Sequence, residues 1–125
     1  MTGNIQKKIL IVDDEEDVRL FLGDFISERD FYVDMAGDGE EALEKFKKTR
    51  HDIVLLDIMM PGIDGITCLG VIKKIAPEAV VIMITALKDE SRMSAAKKLG
   101  AHQYIVKPFS LSYLEGELLK IIGKV

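Results

Sequence analysis

Asp13 and Asp14, Asp57, Thr85 and Lys107 stand in one recurring place in the sequence: each follows or closes a short apolar run. The runs are Ile9 to Val12, Ile53 to Leu56, Val80 to Ile84 and Tyr104 to Val106. If these runs lie side by side with their ends at one rim, three carboxylates, a hydroxyl and an ammonium converge. Two unit charges about 4 Å apart repel by roughly 4 kcal/mol at an effective dielectric near 20. The carboxylates would therefore call in a cation. With only oxygen donors at hand, that cation is a hard one. Few carboxylates and open positions suit Mg²⁺, which keeps waters and takes phosphate oxygens. The closely spaced acids and bidentate Glu of a dedicated Ca²⁺ loop are absent. Mg²⁺ beside Asp57, Thr85 and Lys107 is equipment for phosphoryl transfer. Asp57 lies between the acid pair and the Thr/Lys pair, so it is the candidate nucleophile, and Asp13 and Asp14 are the candidate metal holders.

The elements that must position these groups alternate in period. The four runs, with a weaker fifth from Phe31 to Ala36, are short and rich in β-branched residues, as strands are. Between them Val18, Phe21, Leu22, Phe25 and Ile26 repeat as one helical face. Ala42, Leu43 and Phe46 mark a second helix behind the capping-box-like Asp38-Gly39-Glu40-Glu41. Ile66, Leu69, Ile72 and Ile75 mark a third, with Asp64 as N-cap and Pro77 just past its end. Met93, Ala96 and Leu99 mark a fourth, closed by Gly100, and Leu114, Leu118, Ile121 and Ile122 a fifth, opened by Ser110. Five βα units imply an α/β fold with a parallel sheet and helices on both faces. The runs at Ile9, Ile53 and Val80 are apolar at consecutive positions, as central strands require. The Phe31 run holds Asp34 and the Tyr104 run is short, which suits edges. The expectation is a flavodoxin-like doubly wound (βα)5 fold, a five-stranded parallel sheet in order 2-1-3-4-5. Ligands of such sheets sit outside the carboxyl ends of the strands, at the switch between the first and third.

Length and composition bound the rest. At 125 residues the chain reads as a single domain, residues 1–125, with its core from about 8 to 122. Hydrophobic residues are 48% and charged residues 30%, a globular profile. No apolar run approaches the roughly 20 residues that span a bilayer, and no signal-peptide pattern opens the chain. The expected setting is the cytoplasm, without membrane contact. One cysteine excludes an internal disulfide, and one cysteine with two histidines disfavours a zinc site. The net charge of -4 divides unevenly, into -8 over residues 1–64 and +4 over residues 65–125. An acidic total argues against direct nucleic-acid binding.

These residues resemble a family. Ile9-Leu10-Ile11-Val12-Asp13-Asp14-Glu15, Leu55-Leu56-Asp57-Ile58-Met59-Met60-Pro61-Gly62-Ile63-Asp64-Gly65, Ile84-Thr85-Ala86 and Gly100-Ala101-His102-Gln103-Tyr104-Ile105-Val106-Lys107-Pro108-Phe109 are similar to the four motifs of response-regulator receiver domains of two-component signalling. The likeness runs from about Lys8 to Ile122. It implies that Asp57 accepts a phosphoryl group from a sensor histidine kinase. It implies Mg²⁺ held by Asp14, Asp57 and the Met59 backbone carbonyl, with Asp13 acting through water. Thr85, the Ala86 backbone and Lys107 would engage the phosphoryl oxygens, Tyr104 with Thr85 would form the switch, and Lys107-Pro108 would be a cis peptide. The face of the fourth helix, fifth strand and fifth helix would meet a downstream partner or output domain. The chain would be no turnover enzyme, catalysing only its own phosphorylation and slow dephosphorylation.

Several residues have plainer readings. Asp13 and Asp14 could cap the first helix. Gly62 and Gly65 read as turn and close-packing glycines, Cys68 as a buried small hydrophobe, His51 and His102 as surface residues, and Met59-Met60 as loop packing. Met59 and Leu87, two residues after Asp57 and Thr85, are apolar and give no help to an attacking water, which implies a long-lived phosphoryl group. The charged dimer pattern of the winged-helix subfamily is not met, because His102-Gln103 stands where it has Asp-Asp. An aspartate-nucleophile phosphatase would want an acid at Met59, and a nucleotide or flavin binder a Gly/Ser/Thr-rich loop where Asp13 to Asp17 stand. A receiver-like interaction module without phosphorylation is the remaining alternative. Lys88, Arg92, Lys97 and Lys98 on or beside the fourth helix imply an acidic partner surface.

Overall fold

Strand and helix alternate as the two periods require. The computed structural model describes residues 6–86, 90–107, 110, 112, 113, 115, 116 and 120. The strands are β1 (Lys8–Val12), β2 (Tyr32–Ala36), β3 (Ile53–Asp57), β4 (Val80–Thr85) and β5 (Gln103–Val106). The helices are α1 (Glu16–Ser27), α2 (Gly39–Thr49), α3 (Gly65–Ile75) and α4 (Glu90–Lys98). All strand pairs are parallel, in the order β2-β1-β3-β4-β5. The two runs assigned to edges are the edges. Of the fifth helix, residues 112, 113, 115, 116 and 120 are helical, and the Tyr113 N–H donates to Ser110 Oγ at 3.2 Å. Its stripe residues Leu114, Leu118, Ile121 and Ile122 lie outside the described residues, as do Leu87, Pro108 and its peptide bond.

Alternation along the buried strands divides the core in two. Ile9, Ile11, Ile53, Leu55, Ile82, Ile84 and Ile105 face Leu22, Phe25 and Ile26 of α1. Leu10, Val12, Val54, Leu56, Val81 and Met83 face Phe46, Leu69, Ile72 and Ala96 of α2, α3 and α4. Each buried Val, Leu, Ile, Phe or Met among them stabilises the fold by roughly 1.5–3 kcal/mol of transfer free energy. Two stripe members sit at the margins: Phe21 and Leu99 are exposed.

The helix starts follow the capping expectations. The Glu41 N–H donates to Asp38 Oδ1 at 2.8 Å, and Glu41 Oε1 accepts from the Gly37 N–H at 2.7 Å. That is a capping box displaced by one residue at its return bond. The Thr67 N–H donates to Asp64 Oδ1 at 2.8 Å. Gly100 closes α4 at φ +101°. Cys68 is buried, and burial pushes its thiol up to about 12. His102 is exposed, but His51 is not a surface residue: it is 2% exposed. Its ring stacks on Phe46, and its Nε2 lies 3.2 Å from Asp34 Oδ2. Position 51 lies two residues before β3, where Phe46 of α2 and Asp34 of β2 cover it.

Candidate functional site

Parallel pairing brings the strand ends to one rim. The register sets Val12 beside Leu56, Asp57 beside Ile84, and Thr85 beside Val106. Backbone bonds continue past the strands: the Asp13 N–H donates to the Ala36 carbonyl at 3.2 Å, Ile58 N–H to Ile84 carbonyl at 3.0 Å, and Lys107 N–H to Thr85 carbonyl at 2.8 Å. Asp13, Asp57, Thr85 and Lys107 are thereby held by the ladder itself.

The acidic group is tight. One carboxylate oxygen from each of Asp13, Asp14 and Asp57 lies within 4.8 Å of the other two. Asp13 and Asp57 are buried, and Asp14 is exposed. Lys107 Nζ sits among the acids, 2.7 Å from Asp13 Oδ2, 3.1 Å from Glu15 Oε1 and 3.4 Å from Asp57 Oδ2. The Glu15 N–H donates to Asp13 Oδ1 at 2.9 Å and the Met59 N–H to Asp57 Oδ1 at 3.3 Å. Asp13 does not cap α1; Glu15 is the N-cap residue there, with no side-chain cap bond.

Burial pushes the Asp57 carboxyl up to about 6, and the neighbouring Asp13 charge adds to the rise. Lys107 and the Met59 N–H pull the other way without cancelling it. Lys107 feels the reverse balance. Its burial works against its charge, but Asp13, Glu15 and Asp57 outweigh that and hold the ammonium above its ordinary range. Among the described residues Lys107 meets the three carboxylates of Asp13, Glu15 and Asp57, and Asp14 adds a fourth beside them, so the cluster keeps an excess of negative charge. Its donors are all carboxylate oxygens, two of the three clustered residues are buried, and one side is open to water: the set fits a hard divalent ion with retained waters. Beside Asp14 the rim opens into a cleft of about 530 Å³ that reaches Gly37, Glu40 and Ile63.

The loop after β3 is shaped by two glycines. Gly62 takes φ +76°. Gly65 packs so close that a β-carbon there would lie 2.1 Å from the Asp57 carbonyl oxygen. Met60 is buried in the core, whereas Met59 is 46% exposed, with its Sδ 2.8 Å from Arg92 Nη1 of α4. Thr85 is buried at the same rim and Ala86 is exposed just beyond it. Tyr104 packs against the α4 side of the core, and its hydroxyl donates to the Met93 carbonyl. Every residue singled out from the sequence at strand ends is thus at the rim, and Tyr104, beside Met83, lies two strand residues below Val106 at the end of β5. Glu15 as a direct partner of Lys107 was not foreseen as such, nor was Arg19, whose Nη1 donates to the Asp13 carbonyl at 2.7 Å. An arginine on an amphipathic helix reads as a solvated charge, and no spacing rule marks it.

Residues 9–119 match the family model described as the response regulator receiver domain. The chain is 40% identical over 116 residues to the chemotaxis protein CheY of Thermotoga maritima, covering 92% of this chain and 97% of that protein. It is 42% identical over 122 residues to the probable transcriptional regulator ycf27 of Porphyridium aerugineum, covering 96% of this chain and 50% of that protein. The chain therefore spans about half the length of the ycf27 relatives it matches. Among solved structures, the CheX–CheY–BeF3–Mg²⁺ complex of Borrelia burgdorferi aligns with TM-score 0.87 and 38% identity, over 94% of this chain and 90% of that one. Among the described residues no helix is long and apolar enough to cross a membrane. With the family model matched over residues 9–119 and these relatives alike over most of the chain, the chain belongs to the response regulator receiver domains of two-component systems, whose general role is phosphorylation-dependent switching.

Proposed function

We propose that Asp57 takes a phosphoryl group from the phosphohistidine of a sensor kinase in a Mg²⁺-dependent reaction, and that the face of α4, β5 and the fifth helix passes the change to a partner or output domain. The observation that supports this best is the place of Asp57: end of β3, oxygens within 4.8 Å of Asp13 and Asp14, and 3.4 Å from Lys107. With its carboxyl at about 6, Asp57 is mostly ionised at neutral pH and able to attack phosphorus. The new bond joins an Asp57 oxygen to phosphorus. The phosphorus–nitrogen bond of the donor breaks, and its imidazole leaves with the electron pair and gains a proton.

Asp14, Asp57 and the Met59 carbonyl would hold Mg²⁺, with Asp13 acting through water; the bound ion supplies charge neutralisation at the phosphoryl oxygens. The likeness to a relative solved with BeF3 and Mg²⁺ supports this. Lys107 is released from its carboxylates to pair with the added charge, and Thr85 and the Ala86 N–H hydrogen-bond the phosphoryl oxygens. A shift of Thr85 alters the packing under Tyr104, one strand over, and so the α4–β5 surface. A cleft of about 310 Å³ lined by Lys97, His102 and Tyr104 lies on that surface and gives a partner a place to sit. The domain acts as an acceptor rather than a turnover enzyme, in the cytoplasm.

Intact mass after incubation with Mg²⁺ and acetyl phosphate tests the reading. One phosphoryl adduct is expected, absent in Asp57→Ala and absent with EDTA. No adduct from any donor would leave only the unphosphorylated interaction module. Chasing the adduct after donor removal measures its lifetime. Met59→Asn, which puts a polar group beside the site, is expected to shorten it; an unchanged or longer lifetime counts against an apolar shield.

A further inference from the structure

We propose that Arg19 is a positioning residue for the metal-binding carboxylates, locking the peptide between Asp13 and Asp14. The inference rests on the Mg²⁺ reading above. Arg19 lies in α1, and its Nη1 donates to the Asp13 carbonyl at 2.7 Å. That carbonyl belongs to the peptide plane joining the two acids. Rotation of the plane would swing Asp14, which is exposed. The other polar atoms of Asp13 are already engaged. Its N–H donates to the Ala36 carbonyl, Oδ1 accepts from the Glu15 N–H, and Oδ2 meets Lys107. The guanidinium thus supplies the remaining restraint.

Its own seat is equally defined. A β-carbon on Gly37, the residue after β2, would lie 3.3 Å from Arg19 Nη1 and 3.6 Å from its Cζ. The planar head therefore lies against the Gly37 backbone, bridging the ends of β1 and β2. A lysine could keep the charge but neither the planar packing nor the forked donor geometry.

Charge and positioning predict opposite signs. As a nearby cation Arg19 repels Mg²⁺, so if only its charge mattered, Arg19→Ala would bind Mg²⁺ more tightly and Arg19→Lys would not change. Positioning predicts weaker binding in both. Titration calorimetry of the full chain with Mg²⁺ alone, at neutral pH, reads the difference. The expected result is a dissociation constant raised about tenfold in Arg19→Ala, the lower end for loss of a residue that orients a metal ligand, and raised less in Arg19→Lys. Gly37→Ala supplies a second probe that leaves every charge in place. It presses on the guanidinium, so it should change Mg²⁺ affinity in the wild-type background and leave that of Arg19→Ala unaltered. Thermal unfolding in EDTA, run alongside, separates loss of affinity from loss of fold. Wild-type binding with unchanged or tighter binding in Arg19→Ala overturns the positioning role alone. A wild-type chain that takes up no Mg²⁺ overturns the metal reading and this inference with it.

Discussion

Asp57 meets two demands that conflict. In its proposed roles as nucleophile and metal ligand it must be ionised, yet it is 4% exposed and shares its surroundings with Asp13. The cost shows in its carboxyl, moved from 3.8 to about 6. Between about pH 4 and pH 6 the folded chain therefore holds more protons at this position than the unfolded chain. Unfolding free energy falls as pH rises through that window, and above it the ionised carboxylate destabilises the fold by about 1–3 kcal/mol. Asp57→Asn keeps the shape and removes the charge. In EDTA at pH 7 it should be more stable than wild type by about that amount, with the gap closing near pH 4 where both side chains are neutral. Urea midpoints across the range check this. Equal midpoints at pH 7 would mean that the buried charge is already fully compensated by Lys107.

At the scale of elements, what aims Asp57 is the abutment of α3 on the end of β3. The Gly65 N–H donates to the Ile58 carbonyl at 2.9 Å, and a β-carbon at Gly65 would meet backbone at 2.1 and 2.8 Å. Backbone cannot yield as a side chain tip can. Gly65→Ala should therefore destabilise the fold by about 1–3 kcal/mol and slow adduct formation at saturating Mg²⁺. Gly62 offers the control, since its φ of +76° imposes backbone strain on any replacement but nothing lies within 4 Å of a β-carbon there. If Gly65→Ala phosphorylates at the wild-type rate, the close approach does not set the position of Asp57. Much of this level was legible in the sequence, because strands buried on both faces must be continuously apolar and helices must show a stripe. The site was legible for the same reason: a polar residue ending such a strand has one rim to point toward. Less legible were residues whose role depends on a neighbour distant in sequence. His51 stands between Arg50 and Asp52, in no periodic pattern, and is buried only because Asp34 and Phe46 come to meet it. Arg19 has the spacing of a solvated helix residue, and its partners Asp13 and Gly37 converge on it through β1 and β2.

Across the whole molecule the sheet sets two buried titratable groups at opposite ends of β3, and they pull stability in opposite directions. His51, just before the strand, has its pKa lowered: burial dominates, and the hydrogen bond and charge of Asp34 oppose it without prevailing. Lys8 adds to the lowering, and Asp52, whose Oδ2 accepts the Lys8 N–H at 2.9 Å, counters it. A histidine held neutral in the fold gives stability that is present above its unfolded value of 6.5 and is lost as pH falls through its folded value. Asp57 returns stability over much of the same descent. The two slopes offset each other in wild type, so removing either exposes the other. Asp57→Asn should lose stability more steeply than wild type as pH drops from about 6.5 to 5, and His51→Gln should lose it less steeply or gain. Six residues of extended chain separate the groups by roughly 20 Å, and among the described residues they share no partner. In the double variant the pH-dependent changes should therefore add to within about 0.5 kcal/mol. Urea titrations of the four proteins in EDTA measure the slopes. Additive slopes mean one cooperative sheet reporting two independent ends; a larger departure would mean that the acidic rim and the His51 end are coupled through β3.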